Sequence, residues 1–223
     1  MTSADHLVLI LDDDYRVREA LQELLSASGL FSIALGSASE YIAYPKPEVP
    51  ACLILDVELP DINGLELQRQ IGAGYHPPII FLTGHGNIPS SVRAIKAGAL
   101  DFLTKPFNDQ KLLELVHAAL AMDRERRTEE AKRDFLKQRL HSLTPREREV
   151  LPLLVSGLLN KQAAVHLGIS EVTLQIHRAN VMRKMQADSL ADLVRMAAWL
   201  DIPVSHSRHE RSAVSSGQRN PLA

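Results

Sequence analysis

The first half of the chain alternates, five times over, short runs of aliphatic residues with amphipathic helical segments. Strands that alternate with helices form βαβ units, and such units build a parallel sheet covered by helices on both faces. The aliphatic runs are mostly continuous, as strands buried on both faces require. The pattern therefore predicts an α/β domain with a doubly wound parallel sheet. Its five strands are expected at residues 7–11, 31–35, 51–55, 79–82 and 101–104.

Length, hydrophobic content and cysteine usage limit the number of domains and the kind of protein to expect. The 223 residues are enough for two small domains, and 45% hydrophobic residues can form a core in each. No apolar run approaches the roughly 18 residues of a membrane span, and the N-terminus lacks the basic-then-apolar pattern of a signal peptide. Cys52 is the single cysteine, so core filling is its expected role. We expect a cytoplasmic protein without a membrane partner.

The net charge of −2 is unevenly distributed along the chain. Residues 1–122 contain 8 Lys and Arg against 15 Asp and Glu, whereas residues 123–223 contain 17 against 12. The two halves therefore carry charges of −7 and +5. A basic half favours a nucleic acid partner, but residues 144–203 alone have a balance of only +1. Charge by itself does not establish DNA binding.

Two polar segments separate and follow the candidate domains. A helical pattern becomes very polar over residues 123–142, which we interpret as a helical linker. Acid-before-base pairs four residues apart stabilise such a helix in water by about 0.2–0.5 kcal/mol each. The pairs are Asp123 with Arg127 and Glu129 with Arg133. Residues 204–223 have almost no large apolar side chains, so this tail is expected to be disordered.

Polar side chains follow four of the five predicted strands. Aspartates fill residues 12–14 after the first strand, while Asp56 follows the third, Thr83 the fourth and Lys105 the fifth. In a doubly wound sheet, ligands bind beyond the carboxyl ends of the strands, so these groups should converge. Converging carboxylates repel one another, and a hard divalent cation such as Mg²⁺ relieves the repulsion. Asp56 is then free to attack phosphorus, while metal, ammonium and hydroxyl neutralise the phosphoryl oxygens.

The segments around these residues resemble the receiver domain of two-component response regulators. The matching segments are residues 11–14, 55–64, 82–86 and 97–107. Singly, each polar residue has an ordinary explanation, because an aspartate after a strand is a common helix N-cap. Together, in this order, they carry the resemblance. It implies a flavodoxin-like (βα)5 receiver over residues 1–122 and phosphorylation by a sensor histidine kinase.

The resemblance implies a role for each carboxylate of this pocket. Asp56 would be the phosphoacceptor. Mg²⁺ would be held by Asp12 or Asp13, by Asp56 and by the backbone carbonyl of Glu58. Glu58 and His85 flank the pocket, where they could govern the lifetime of the phosphate.

Three further residues would respond to the phosphate. Thr83 and Lys105 would bind phosphoryl oxygens, and Thr83 would move toward the phosphate while the Phe102 ring rotates inward. An ordinary core aromatic is an equally good interpretation of Phe102. The family has a cis bond between Lys105 and Pro106, in keeping with the near confinement of cis peptides to proline.

Residues 143–203 have the start and stop signals of four short helices. Residues 144–147 combine an N-cap, a proline at the first helical position and a capping box. A helix over residues 160–167, a turn at 168–170 and a helix over residues 171–185 form a helix-turn-helix pattern. A plain α-hairpin that only packs would account for this pattern about as often.

The second helix of this pair divides into an apolar and a polar face. Leu174, Val181 and Met185 recur at spacings of seven and four and should pack inward. Gln175, Ile176 and Ala179 lie together on the other face, where a recognition helix meets base edges. Basic residues beside that face can reach phosphates. They are Arg178, Arg183 and Lys184.

This region resembles the LuxR-type output domain, most closely its FixJ group. The matching segments are residues 143–151, 160–161, 167–170 and 177–185, with Gly157 and Thr173. Gln175 stands where that group commonly has Glu, and Leu174 where it commonly has Val. These departures bear on operator preference and not on fold. The candidate DNA-binding residues are Lys161, Ser170, Thr173, Gln175, Ile176, His177, Arg178, Ala179 and Lys184.

The last helix of this region, residues 189–200, is the dimer contact in the family. Its apolar stripe consists of Leu193, Met196, Ala197 and Leu200. Closing the core of the small domain is at least as good an explanation for Leu193 and Met196. For His177, packing or capping is a more ordinary role than metal binding.

We expect a transcriptional regulator and not an enzyme. A histidine kinase would phosphorylate Asp56, which promotes homodimerisation and promoter DNA binding, with RNA polymerase as a further partner. The receiver would dimerise through its fourth helix and fifth strand, and activation and repression are both consistent with the motifs. Candidates for that dimer face are Val92, Ile95, Lys96 and Phe107.

Two alternatives stay open at this point. One is a DNA-binding dimer that works without phosphorylation and uses the receiver as a scaffold. The other is a Mg²⁺-dependent phosphohydrolase with Asp56 as nucleophile, which the small size of the domain disfavours. The response to replacing Asp56 distinguishes the first alternative, and turnover of a small phosphomonoester the second.

Overall fold

A computed structural model describes residues 5–72, 75–84 and 88–203, with only the backbone at residues 88–90. The chain forms two compact units, divided between Glu130 and Ala131. The predicted disordered tail and His85 lie outside the described residues. Within the described part, no helix is long and apolar enough to cross a membrane.

The first unit is built on a five-stranded parallel sheet, as predicted. Its strands are β1 (Leu7–Leu11), β2 (Ser32–Leu35), β3 (Ala51–Asp56), β4 (Ile79–Thr83) and β5 (Asp101–Thr104). Its helices are α1 (Tyr15–Ala27), α2 (Ala38–Ala43), α3 (Gly64–Ile71), α4 (Ile88–Lys96) and α5 (Asp109–His141). The strand order is β2-β1-β3-β4-β5, which confirms the flavodoxin-like topology and places its switch point between β1 and β3.

Both faces of the sheet are covered, because alternate residues of the central strands enter two separate apolar clusters. Every residue of β1, β3 and β4 is buried. Leu7 and Leu9 belong to one cluster, whereas Val8 and Ile10 belong to the other. Successive side chains of a strand point to opposite faces, so one strand supplies both. Cys52 is buried in the second cluster, which confirms its core-filling role.

Helix α5 continues well past the sheet. Leu112, Val116 and Ala119 pack its first turns against the second apolar cluster. The helix then runs on to His141, which agrees with the predicted helical character of residues 123–142. The limits of the domains and of the linker stay predictions.

Asp123 forms the predicted pair with Arg127, but it is buried, although the sequence predicted a polar, solvent-exposed helix here. The pair does form, with Arg127 Nε 2.7 Å from Asp123 Oδ2, but the carboxylate is fully buried. It also accepts hydrogen bonds from the amide of Ala51 at 2.9 Å and the hydroxyl of Tyr75 at 2.8 Å. Arg126 contacts its other oxygen. These partners come from distant parts of the chain, which the spacing along a helix does not reveal.

Up to residue 203, the second unit contains four helices after the end of α5, as predicted. They are α6 (Pro145–Val155), α7 (Asn160–Leu167), α8 (Glu171–Met185) and α9 (Leu190–Trp199). The predicted capping box is present, since Thr144 Oγ1 accepts from the Glu147 amide and Glu147 Oε2 accepts from the Thr144 amide. Gly168 has φ of 66° in the turn between α7 and α8. Ser170 caps the start of α8.

Ion pairing along the polar part of α5 differs from the expected pattern. Arg133 was expected to pair with Glu129, but it forms an ion pair with Asp201. Arg139 donates to the backbone carbonyl of Met185 at 2.9 Å. These contacts lie within the second unit, so part of the predicted linker helix belongs to its packing.

Candidate functional site

Four polar side chains meet at the carboxyl ends of the strands in the first unit. Asp12 directly follows β1, Asp56 ends β3 and Thr83 ends β4, and all three are buried. Lys105 directly follows β5, and its Nζ lies 2.6 Å from Asp12 Oδ2 and 2.6 Å from Asp56 Oδ2. The sequence predicted this convergence. One ammonium thus bridges two buried carboxylates.

The backbone around the pocket holds these side chains in place. The Lys105 amide donates to the Thr83 carbonyl at 2.7 Å, and the Lys105–Pro106 bond is cis, as predicted. Asp12 Oδ1 accepts from the Asp14 amide at 3.0 Å. Arg18 Nη1 donates to the Asp12 carbonyl at 2.7 Å. Hydrogen bonds to both the side chain and the backbone carbonyl of Asp12 therefore hold this loop in place.

Gly64 allows the loop after β3 to fold back against Asp56. A Cβ at this position would lie 2.3 Å from the Asp56 backbone carbonyl oxygen, far too close for any side chain. The Gly64 amide also donates to the Val57 carbonyl at 2.8 Å. Sequence reasoning assigned no role to this residue. Its position at the start of a helix eight residues after the key aspartate was the available signal.

The pocket is electrostatically unbalanced. Burial raises the pKa of Asp12, with the nearby Asp56 acting in the same direction and Lys105 opposing them. Burial alone would lower the pKa of Lys105, but its contacts with Asp12 and Asp56 outweigh burial and raise it. Lys105 therefore stays positively charged at neutral pH, and one ammonium faces at least two carboxylates.

The donor set fits a hard divalent cation. Oxygens of Asp12, Asp13 and Asp56 lie within 4.8 Å of one another, and Asp13 is exposed while the other two are buried. Mg²⁺ prefers carboxylate oxygens and keeps several waters, which the exposure of Asp13 permits. The Glu58 amide donates to Asp56 Oδ1 at 3.1 Å, so the chain turns close to the cluster there. The backbone carbonyl of Glu58 as a ligand stays a prediction.

In the second unit, helix α8 presents two distinct faces, as predicted. Leu174, Val181 and Met185 are buried in the core of this unit. Gln175 and Ala179 are exposed, and Ile176 is 57% exposed. The helix follows α7 across the left-handed Gly168, which is the arrangement of a helix-turn-helix. Its free face has the length and position of a recognition helix.

Known families match both units of the chain. The response regulator receiver domain family matches residues 8–117. The luxR family of bacterial regulatory proteins matches residues 141–197. The two matches fall on the parallel sheet and on the helix-turn-helix.

Individual relatives extend over nearly the whole chain. Nodulation protein W of Bradyrhizobium diazoefficiens is 46% identical over 92% of this chain and 91% of its own length. Transcriptional regulatory protein FixJ of Azorhizobium caulinodans is 45% identical over 85% of this chain and 90% of its own. The chain is a FixJ/NarL-type response regulator. A receiver joined to a LuxR-type domain makes it a phosphorylation-activated transcriptional regulator.

Solved structures of response regulators agree with this assignment. The structure of response regulator StyR has a TM-score of 0.77 at 44% identity and covers 87% of this chain and 99% of that one. Full-length FixJ from B. japonicum has a TM-score of 0.53 at 37% identity and covers 91% of this chain and 100% of that one. Several relatives are named as response regulators or as transcriptional regulators.

Phe102 of this response regulator belongs to the apolar core of the receiver. The residue is partly buried and packs against the first apolar cluster. Its ring centroid lies 6.1 Å from that of Phe81 at an angle of 37°. This agrees with a core aromatic, while its rotation with Thr83 stays a prediction.

Two basic residues of the predicted DNA surface have partners within the output domain. Arg178 Nη1 donates to Asn160 Oδ1 at 3.1 Å and so joins α8 to α7. Lys184 Nζ lies 2.7 Å from Oε2 of Glu147, which is buried. Burial raises the pKa of Glu147, but Lys184 and the Thr144 contacts outweigh it and hold the pKa below its usual range. Lys184 therefore has a structural partner that the sequence did not reveal.

The remaining candidate residues differ in exposure. Lys161 and Ser170 are exposed, whereas Thr173 and His177 are partly buried. The Ser170 hydroxyl accepts from the Thr173 amide at 3.1 Å. Both residues thus form the helix start, which leaves their proposed DNA contacts as predictions.

The last helix and helix α4 bear on dimerisation. In α9, Leu193 and Ala197 are fully buried by their own domain, and Met196 and Leu200 pack beside them. Core closure therefore accounts for this stripe.

On α4, Val92 and Ile95 are 46% and 45% exposed. Lys96 beside them is exposed and Phe107 is partly buried.

Proposed function

We propose that a sensor histidine kinase phosphorylates Asp56 and that the phosphate increases promoter DNA binding by the C-terminal domain. The observation that carries this proposal is the convergence of Asp56 with Asp12, Asp13 and Lys105 at the switch point of the sheet. An oxygen of Asp56 would attack phosphorus as the bond from phosphorus to the kinase histidine nitrogen breaks. Asp12 or Asp13, Asp56 and the backbone carbonyl of Glu58 would hold Mg²⁺, whose positive charge would stabilise the phosphoryl oxygens.

Lys105 would exchange partners during this step. Its ammonium now bridges Asp12 and Asp56, each at 2.6 Å. Its raised pKa keeps it protonated, so it can follow the negative charge from the carboxylate to a phosphoryl oxygen. Lys105 thereby stabilises the charge before and after transfer.

Thr83 would supply the third group that meets the phosphoryl oxygens. It ends β4, beside Asp56 at the end of β3, because Asp56 is paired with Leu82 in the sheet. Its hydroxyl would move toward the phosphate, with Phe102 filling the space behind. This movement would carry the signal from the pocket to the α4 and β5 face.

The output would follow from dimerisation of the receiver. Val92 and Ile95 are exposed apolar residues on α4, with basic Lys96 beside them, and a second copy would cover them. Two output domains would then bind a promoter through their α8 helices and contact RNA polymerase. The proposed DNA contacts are Lys161, Ser170, Thr173, Gln175, Ile176, His177, Arg178 and Ala179.

The test measures DNA affinity and oligomeric state of the full chain in Mg²⁺, with and without beryllofluoride. The DNA is a set of duplexes selected from a random library by the treated protein. Treatment should raise the affinity of the wild type about 5- to 150-fold and produce dimers, as a coupling of ~1–3 kcal/mol predicts. Asp56→Asn should show neither change, whereas Asp109→Asn, an exposed acid at the start of α5, should behave as the wild type.

Two outcomes would support the alternatives. Equal binding by treated, untreated and Asp56→Asn protein would make the receiver a scaffold for a DNA-binding dimer. Repeated turnover of a small phosphomonoester would support the phosphohydrolase. DNA binding in no state would contradict the proposed function itself.

A further inference from the structure

The free face of α8 carries more apolar surface than its sequence pattern indicates. Val172 is 67% exposed and Ile176 is 57% exposed, one turn apart on the same side of the helix. Gln175 and Ala179 are exposed on the same stripe, because residues three and four apart are neighbours on a helix. Val172 was not among the residues that the sequence identified. Two large β-branched side chains on the predicted reading face are therefore available to a partner.

The chemistry of this stripe differs from that of a guanine-reading helix. None of Val172, Gln175, Ile176 and Ala179 is charged. The commonest specific contact to DNA is Arg or Lys with guanine, whereas a Gln amide pairs with adenine and an apolar side chain contacts the thymine methyl group. Two basic side chains of the same helix, Arg178 and Lys184, are bonded to Asn160 and Glu147 within the domain.

We propose that Val172 and Ile176 read the C5 methyl groups of thymines in the major groove, with Gln175 between them reading an adenine. This inference rests on the proposed DNA-binding function and specifies its target as A·T pairs within each half-site. Val172 precedes Ile176 by four residues, or about 6 Å along the helix axis. Their methyl groups therefore contact different bases, and each thymine should have its own protein partner.

Thymine differs from uracil by the C5 methyl group alone, which gives a direct test. Duplexes are first selected from a random library by the full chain with Mg²⁺ and beryllofluoride. Each thymine of the best duplex is then replaced singly by uracil and the affinity measured again. Two positions in a half-site should bind about fourfold more weakly, the loss expected for one buried carbon.

Alanine variants assign each methyl group to its side chain. Val172→Ala should abolish the effect of uracil at one of these positions and Ile176→Ala at the other. Val165→Ala is the matched control, since Val165 is 77% exposed but lies on α7, and it should keep both effects. Circular dichroism checks that all three variants are folded.

The outcomes separate this inference from the proposed function. Selected duplexes that tolerate uracil at every position would overturn methyl readout while preserving DNA binding. Uracil effects that persist in both alanine variants would also overturn it. Failure to enrich any duplex would contradict DNA binding and this inference together.

Discussion

At the scale of single residues, the buried charge of Asp123 should contribute strongly to the stability of the first unit. Burial alone would raise the pKa of Asp123, but hydrogen bonds from Arg127, Ala51 and Tyr75 outweigh it and hold the pKa below its usual 3.8. Tyr75 stays a donor through neutral pH, because burial and Asp123 raise its pKa to about 12. We predict that Asp123→Asn lowers the free energy of unfolding by about 3 kcal/mol at pH 7, measured with urea.

The pH dependence of this loss follows from the direction of the shift. A lowered pKa means that the folded protein binds the proton more weakly than the unfolded chain. The contribution of Asp123 is therefore complete above pH 3.8 and is lost as the pH falls through the lowered value. The difference between wild type and Asp123→Asn should shrink on acidification below that point.

A second aspartate of α5 provides the control. Asp134 pairs with Lys137 at 3.0 Å, but both side chains are largely exposed. Asp134→Asn should change the free energy of unfolding by less than about 1 kcal/mol, as surface ion pairs do. An equally small effect of Asp123→Asn would contradict the role assigned to the buried carboxylate.

The same residue shows where prediction from sequence ends. The pair with Arg127 could be predicted, because a spacing of four is local to one helix. The Ala51 amide that also binds Asp123 is 72 residues away in sequence, so only the folded chain brings it near. The pocket residues were predictable for the opposite reason, since strand ends in a parallel sheet meet at one edge whatever the distance along the chain.

At the scale of elements, Lys184 joins α8 to α6, and this contact competes with its predicted DNA role. Its partner Glu147 is 3% exposed and also completes the capping box of α6. We predict that Lys184→Gln destabilises the second unit by about 1–3 kcal/mol, the cost of removing a partner from a buried polar group. It should leave the salt dependence of DNA binding unchanged in folded protein.

Lys161→Gln is the matched comparison, because Lys161 is exposed at the start of α7. If it contacts a phosphate, its loss should reduce the slope of log affinity against log salt by about 0.9 without changing stability. The same reduced slope with unchanged stability in Lys184→Gln would contradict its structural role. Salt titrations and urea unfolding on both variants decide between these results.

Helix positions were well predicted in this unit because the signals are local. The capping box at Thr144 and the left-handed Gly168 mark where α6 begins and α7 ends. The partners of polar side chains were not, because Lys184 and Glu147 lie 37 residues apart on different helices. Local propensity fixes element bounds, while tertiary packing decides which charges remain available to a ligand.

At the scale of the whole molecule, the two units have separate apolar cores. Two clusters cover the faces of the sheet in the first unit, and a third lies among the helices of the second. Two units with their own cores need not unfold together. Trp199, the single tryptophan, lies on α9 and reports on the second unit by its fluorescence.

We predict that Mg²⁺ stabilises only the unit that contains the carboxylate cluster. A ligand at 100 times its dissociation constant adds about 2.7 kcal/mol to the state that binds it. Urea unfolding followed by circular dichroism should therefore shift upward for the first unit, while the Trp199 transition stays in place. Asp13→Asn should remove the shift, since Asp13 belongs to the cluster.

Asp14→Asn controls for a general effect of charge in this loop. Asp14 accepts from the Arg16 amide as the N-cap of α1 and is not part of the carboxylate cluster, so its variant should keep the Mg²⁺ shift. A Trp199 transition that moves with Mg²⁺ as far as the first would show that the units unfold as one. In that case Mg²⁺ binding and phosphorylation at Asp56 would change the stability of the output domain as well as promote dimerisation.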